Sequence, residues 1–243
     1  MRALIALAGL LLAVAAAHAE APPVEFMLGD TAWQPGDRWQ SGPGWLALAC
    51  VELDCRLEAA RLKVKLGKGP DGKRGQQFTF SRARPGRPKE QVLAWFKADP
   101  RLPWLRARTL PTYAAGTAAP KRPNTPGTLE IAVGLPGGRA ATLVPLYDKA
   151  AQRFLLQLRL PDKRQMLDEL GPCSHAVPSD FLVWAGDIDG DGKPDFLINY
   201  IDDDGEARLY LAAQATAGQI VGLAGSYIAP PSNTTCTDAG WRD

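Results

Sequence analysis

Short stretches in which apolar and polar residues alternate, punctuated by glycine, proline and aspartate, carry most of this chain. The clearest is Leu62-Lys63-Val64-Lys65-Leu66. A period of two puts successive side chains on opposite faces of an extended backbone, so this segment reads as a half-buried strand. Apolar-rich stretches at 45–50 and 55–66 predict two strands, and 77–81 a third beyond the turn residues Gly-Pro-Asp-Gly. Residues 91–97, with Val92, Leu93, Trp95 and Phe96, fit a strand or a short helix, and their β-type surroundings favour the strand.

Hairpins follow closely after residue 128. Stretches 128–134 and 139–146 flank Leu135-Pro136-Gly137-Gly138, and 153–160 and 164–170 flank Pro161-Asp162-Lys163. Stretches 181–185 and 196–201 flank an acidic loop, 207–212 follows Asp202-Asp203-Asp204-Gly205, and 220–228 reads as a last strand. No long amphipathic helix separates these strands, which argues against a doubly wound α/β fold. The expectation is an all-β fold, an antiparallel sandwich or partly open barrel. Pro100, Pro103, Pro111, Pro120, Pro123 and Pro126 break the periodicity between the halves. Residues 111–127 therefore read as a Pro-rich connection between an N-terminal β region, 20–110, and a C-terminal β region, 128–243.

Residues 1–19 stand apart. Arg2, the apolar run 3–17 and the small-x-small element Ala17-His18-Ala19 form a secretory signal peptide, which places the mature protein in the periplasm or outside the cell. The run is shorter than the ~20 residues of a spanning helix, and no later segment is long and apolar enough, so no transmembrane span is expected. With 46% hydrophobic and 22% charged residues the chain falls in the globular class, and a formal net charge of +2 points to no partner. Cys50, Cys55, Cys173 and Cys236 suit two disulfides in an oxidising compartment. Three pairings exist, of which Cys50–Cys55 across a short turn and Cys173–Cys236 are favoured. The lack of a C-x-x-C pair, with His175 the only histidine after the signal, argues against zinc.

The acidic loop Gly186-Asp187-Ile188-Asp189-Gly190-Asp191-Gly192-Lys193-Pro194-Asp195 carries the chemistry. Carboxylates this close raise one another's pKa unless a cation joins them, and an all-oxygen set suits Ca²⁺. Counted as an EF-hand from Asp187, Asp189, Asp191 and Asp195 fall on ligand positions, as does the Lys193 carbonyl. The last ligand position is Ile198, which cannot coordinate, and the flanks are strand-like. The stretch 183–200 instead resembles the strand–loop–strand calcium site of FG-GAP repeats, as in the integrin α-subunit propeller. That resemblance implies a loop bridging two strands with its last aspartate completing the coordination. One copy does not imply a propeller. The early cysteine pair, the element from Trp184 to Gly192 and the late cysteine are also similar to small exported bacterial proteins with a single such loop. This similarity implies location and calcium rather than an activity. The expected role of the ion is structural, holding the 181–200 hairpin shut; Asp202, Asp203 and Asp204 read as a solvated turn.

Catalytic readings are weaker. Asp187-Ile188-Asp189-Gly190 resembles the nucleophile motif of haloacid-dehalogenase-type phosphatases, but Asp191 replaces the usual Thr or Val and the α/β alternation is missing. His175 has no G-x-S-x-G element to serve. A periplasmic hydrolase of glycans or phosphate esters, using carboxylates that sequence does not reveal, is the alternative, and no catalytic residue is assigned. Between 61 and 89, Arg61, Lys63, Lys65, Lys68, Lys73, Arg74, Arg82, Arg84, Arg87 and Lys89 face a single acid, Asp71. Such a stripe can hold an anionic envelope component or a protein, nucleic acid not being expected outside the cell, or it is simply a solvated strand face. Trp33, Trp39, Trp45, Trp95, Trp104, Trp184 and Trp241 suit a sugar platform or, more economically, a core. Taken together the chain reads as an exported calcium-binding β protein with a binding or structural role in the cell envelope.

Overall fold

The alternating stretches fold as strands close to their expected limits. The computed structural model describes residues 22–29, 31–35, 38–69, 72–118, 130–148, 150, 153–170, 181–200 and 206–228. The expected signal segment, 1–19, and Cys173, His175, Asp202 to Asp204, Cys236 and Trp241 lie outside them. The strands are β1 (Phe26–Met27), β2 (Thr31–Pro35), β3 (Gly42–Val51), β4 (Asp54–Lys68), β5 (Arg74–Arg82), β6 (Gln91–Lys97), β7 (Arg108–Leu110) and β8 (Ala115–Ala118). They continue with β9 (Glu130–Gly134), β10 (Ala140–Asp148), β11 (Arg153–Arg159), β12 (Arg164–Leu170), β13 (Leu182–Gly186), β14 (Asp195–Asn199), β15 (Glu206–Leu211) and β16 (Gly222–Ile228). The ambiguous 91–97 stretch is strand β6.

All pairings are antiparallel. One sheet runs β1-β6-β3-β4-β5-β2, with β7 also paired to β4; a second runs β12-β11-β10-β9-β8 and a third β13-β14-β15-β16. The result is all-β, with antiparallel sheets and a curled half-barrel. At the β3–β4 turn Cys50 and Cys55 pair in register and are joined by a disulfide, the first of the two expected; the second falls on residues not described.

The expected sandwich gains a third layer. Along β14, Phe196 and Ile198 pack with Ile131, Val133, Leu143, Leu156 and Leu158 of the five-stranded sheet. Leu197 between them packs the other way, with Leu46, Leu48, Leu57 and Phe96 of the seven-stranded sheet. In β15 Tyr210 faces the first core, and Leu209 and Leu211 face the second. The four-stranded sheet is therefore the middle layer and is apolar on both faces, which is why Phe196-Leu197-Ile198 does not alternate. At the edge of the five-stranded sheet the Gln165 side chain donates to the Val221 carbonyl (2.8 Å) and accepts from the Ile220 amide (2.6 Å), tying β12 to the approach of β16.

The seven-stranded sheet has its own aromatic cluster. Trp39, Trp45 and Trp95 are at most 7% exposed and pack with Phe78 and Phe80, the Phe80 and Trp95 rings stacking at 4.4 Å. Trp184 is likewise buried. Core packing thus accounts for these four tryptophans.

A single segment stitches the layers together. Its start, β7, pairs with Cys55 to Leu57 of β4. Next, the Pro111 carbonyl accepts the Asp187 amide and the Tyr113 amide donates to the Ala185 carbonyl, both at 2.9 Å, so residues 111–113 line the edge of β13. Its end, β8, pairs with β9. On the opposite edge of the middle sheet the Val24 amide donates to the Ala224 carbonyl of β16 (2.7 Å), just before β1. Each edge of the middle sheet thus has part of its backbone paired by another segment.

Because the middle sheet is packed on both faces, Leu209→Ala or Ile198→Ala is expected to lower stability by about 2–5 kcal/mol. Leu66→Ala, at a residue 60% exposed, is expected to change it by less than about 0.5 kcal/mol. Urea unfolding of the three variants checks this; equal effects would contradict the layer assignment.

Candidate metal centre

The acidic loop spans the turn from β13 to β14, with Gly186 and Asp195 opposite each other in the last register pair. Its path is set by the carboxylates themselves. Asp187 accepts the amides of Gly190 (Oδ1, 2.6 Å) and Gly192 (Oδ2, 3.0 Å), Asp189 accepts that of Asp191 (3.1 Å), and Asp191 accepts that of Lys193 (2.8 Å). Aspartate side chains that bond amides two, three and, for Asp187 with Gly192, five residues on wrap the backbone into consecutive tight turns. Gly190 (φ 86°) and Gly192 (φ 80°) supply the left-handed conformations that these turns need.

Asp195 anchors the loop from within. Its side chain has no exposure; Oδ2 accepts the Ile188 amide (2.8 Å) and Oδ1 accepts the Ala212 amide at the end of β15 (2.9 Å). Ile188, the apolar residue of the loop, is fully buried in the core shared with Trp184 and Leu197. The cross-layer segment supplies the rest. The Arg108 Nη2 donates to the Ile188 carbonyl (2.5 Å), and the Pro111 carbonyl holds Asp187. Gly186 has no room for a side chain, since a Cβ there would lie 2.4 Å from the Pro111 carbonyl oxygen.

This folding gathers Asp187, Asp189 and Asp195 so that one carboxylate oxygen from each lies within 4.8 Å of the others, a group able to hold a metal ion. Asp187 is 5% exposed. Asp191, also expected as a ligand, is not in that carboxylate group; it is exposed, and its carboxylate approaches the Lys193 Nζ at 3.4 Å, while the ligand expected from Lys193 is its backbone carbonyl. Burial first, then the Asp189 charge, raises the Asp195 pKa from 3.8 to about 8, against the pull of its two amide donors. Burial and the charges of Asp191 and Asp187 also raise Asp189, which Arg108 opposes. Burial and the same aspartates raise the Tyr113 hydroxyl. A cation in the loop would relieve this excess of negative charge. Nothing near the loop in sequence announced Arg108, Pro111 or Tyr113, which reach it only through sheet pairing.

A second acidic pair, Glu58 and Glu90, lies on the seven-stranded sheet side. The Glu90 carboxylate has no exposure and meets Arg56 (2.6 Å), Arg82 and Arg87 (2.9 Å), while Arg82 also meets Glu58 (2.9 Å). Burial pushes the Glu90 pKa up, but hydrogen bonds from Arg82 and Arg87 outweigh it and hold the group at about 2. Glu90 therefore stays ionised and out of reach of a substrate, and the cluster acts as an ionic clamp. It also withdraws Arg82 and Arg87 from the basic stripe seen in the sequence.

No protein-family model, curated protein or solved structure matches this chain.

The raised Asp195 pKa makes stability depend on pH when no metal is bound. Between about 4 and 8 the folded state holds a proton that the unfolded state has released, so stability is highest at the low end and falls as pH rises through the folded value. In the presence of a chelator the melting temperature should therefore drop from pH 5 to pH 8 (roughly the window of that shift), and Asp195→Asn should flatten the drop. A wild-type profile that rises over this range would contradict the assignment.

Proposed function

We propose that this is an exported calcium-binding β protein in which the ion plays a structural role, with the remaining surface available for binding in the cell envelope. The observation that carries the reading is the position of Asp195. One carboxylate faces the Asp187 and Asp189 oxygens and also bonds the amides of Ile188 and Ala212, so an ion bound here joins the β13–β14 hairpin to the end of β15. The donors are hard oxygens with no nitrogen or sulfur among them, which favours calcium over zinc or copper. Amides already orient the Asp187 and Asp195 carboxylates, so little of the loop has to be ordered by the ion. The strand–loop–strand setting agrees with the FG-GAP-type resemblance of residues 183–200.

Extracellular calcium modules often bind at about 10⁻⁴–10⁻³ M. At free calcium ten times the dissociation constant, the folded state gains about 1.4 kcal/mol. That is a useful increment for a fold whose middle layer depends on this turn. Calorimetric titration of the oxidised protein with calcium is expected to give one-to-one binding and a melting temperature that rises with calcium. Both should be lost in Asp187→Ala/Asp189→Ala. No heat and no stabilisation of the wild type at millimolar calcium would overturn the proposal.

A further inference from the structure

Strand β4 changes surroundings along its length. Cys55 and Leu57 are buried in the core, but on the same face Ala59, Arg61, Lys63 and Lys65 are exposed, while Ala60 and Leu62 on the other face are buried. The β3 partner ends at Leu62, and beyond it β4 continues beside β5, which in turn pairs with β2. The β4–β5 ladder runs from Ala60 to Lys68 without a register shift, so Arg61 lies opposite Ser81, Lys63 opposite Thr79 and Lys65 opposite Gln77. All six residues are exposed. Among the described residues Arg61, Lys63 and Lys65 have no acidic partner. The acids nearest in sequence on β4, Glu58 and Asp54, are engaged by Arg56, Arg82 and Arg87.

Alternate strand residues are about 6.8 Å apart, so the three cations form a straight row of evenly spaced charges. A parallel row of hydroxyl and amide groups runs about 4.8 Å away on the neighbouring strand. Uncompensated like charges in a row favour a bound polyanion over separate counter-ions. Neither row contains an apolar side chain to enter a bilayer. Beside them on β2, Trp33 stands opposite Gln77 in register, an aromatic position whose preference between a sugar and a base the oligonucleotide titration distinguishes. A ligand that suits both rows carries regularly spaced negative groups and many hydroxyls. We infer that this face of the β4–β5 ribbon binds a linear acidic polysaccharide, with Arg61, Lys63 and Lys65 meeting its charges and Gln77, Thr79 and Ser81 its hydroxyls. This gives the binding role proposed above a place and a ligand class, on a different sheet from the metal centre.

The test titrates hyaluronate, a uronate polysaccharide, into the full oxidised chain at low salt, once with chelator and once with millimolar calcium. Binding is expected in both conditions, weakened about tenfold in Arg61→Gln/Lys63→Gln/Lys65→Gln and suppressed by high salt. A charge-matched control at exposed sites elsewhere, Arg139→Gln/Lys163→Gln/Arg164→Gln, should bind as the wild type does, and both variants should melt as it does. Absence of wild-type binding would overturn the inference, as would equal losses in the two variants, which would report net charge alone. Triad-dependent binding to anionic vesicles or to a single-stranded oligonucleotide, with none to hyaluronate, would overturn it in favour of that partner. Loss of calcium binding with hyaluronate binding intact would remove the metal reading alone, and the reverse outcome this one alone.

Discussion

Burial of much of both faces of the four-stranded sheet constrains the rest of this protein, because a sheet packed on two sides needs a layer on each. Leu197, Leu209 and Leu211 meet the seven-stranded sheet, and Phe196, Ile198 and Tyr210 meet the five-stranded one. Neither outer sheet could hide its apolar face without the middle one. Backbone from elsewhere in the chain bonds part of each edge, residues 111–113 along β13 and Val24 along β16.

The candidate metal centre sits where these constraints meet. A turn of four aspartates would normally belong at the outer tip of a hairpin, yet here Ile188 is drawn into the core and Asp195 has no exposure. Burying a carboxylate is costly unless its oxygens are bonded, and Asp195 meets that condition with amides from two different connections. The same burial that raises its pKa makes the site favourable for a cation, since the ion removes the repulsion that the fold has concentrated there. Stability of the turn and any affinity for a cation would thus rest on one electrostatic arrangement.

Charge on the seven-stranded sheet falls into two groups. Arg56, Arg82 and Arg87 are consumed by Glu58, Glu90 and Asp54 in a clamp that holds the segment leading to β6 against β4. Arg61, Lys63 and Lys65 point away from it along the protruding part of the same strand. The division follows from strand parity: even positions of β4 carry Arg56 and Glu58, and odd positions beyond Leu57 carry the cations that have no acidic partner among the described residues.

Much of this architecture is legible without coordinates. Period-two alternation and Gly, Pro and Asp turns act over a few residues, so the hairpins at 45–66, 139–170 and 181–211 appear in the sequence close to where they fold. The acidic loop is equally local, and its strand–loop–strand setting follows from its flanks. Other features depend on contacts between distant residues. Phe196-Leu197-Ile198 shows that β14 is apolar but not which core takes which side chain. The proline-bearing stretch gives no sign that residues 108–118 pair with all three sheets, or that Arg108 reaches the Ile188 carbonyl across a separation of 80 residues. Likewise the basic stripe is continuous in sequence and becomes two groups only when Glu58 and Asp54 of β4 meet Arg82 and Arg87, 24 and 33 residues away. Local sequence determined the strands, their turns and the ligand-rich loop, because backbone preference and side-chain parity act over a few residues. Tertiary structure alone decided the layer order, the burial of Asp195 and which charges remain free, because these follow from packing surfaces that no local pattern encodes.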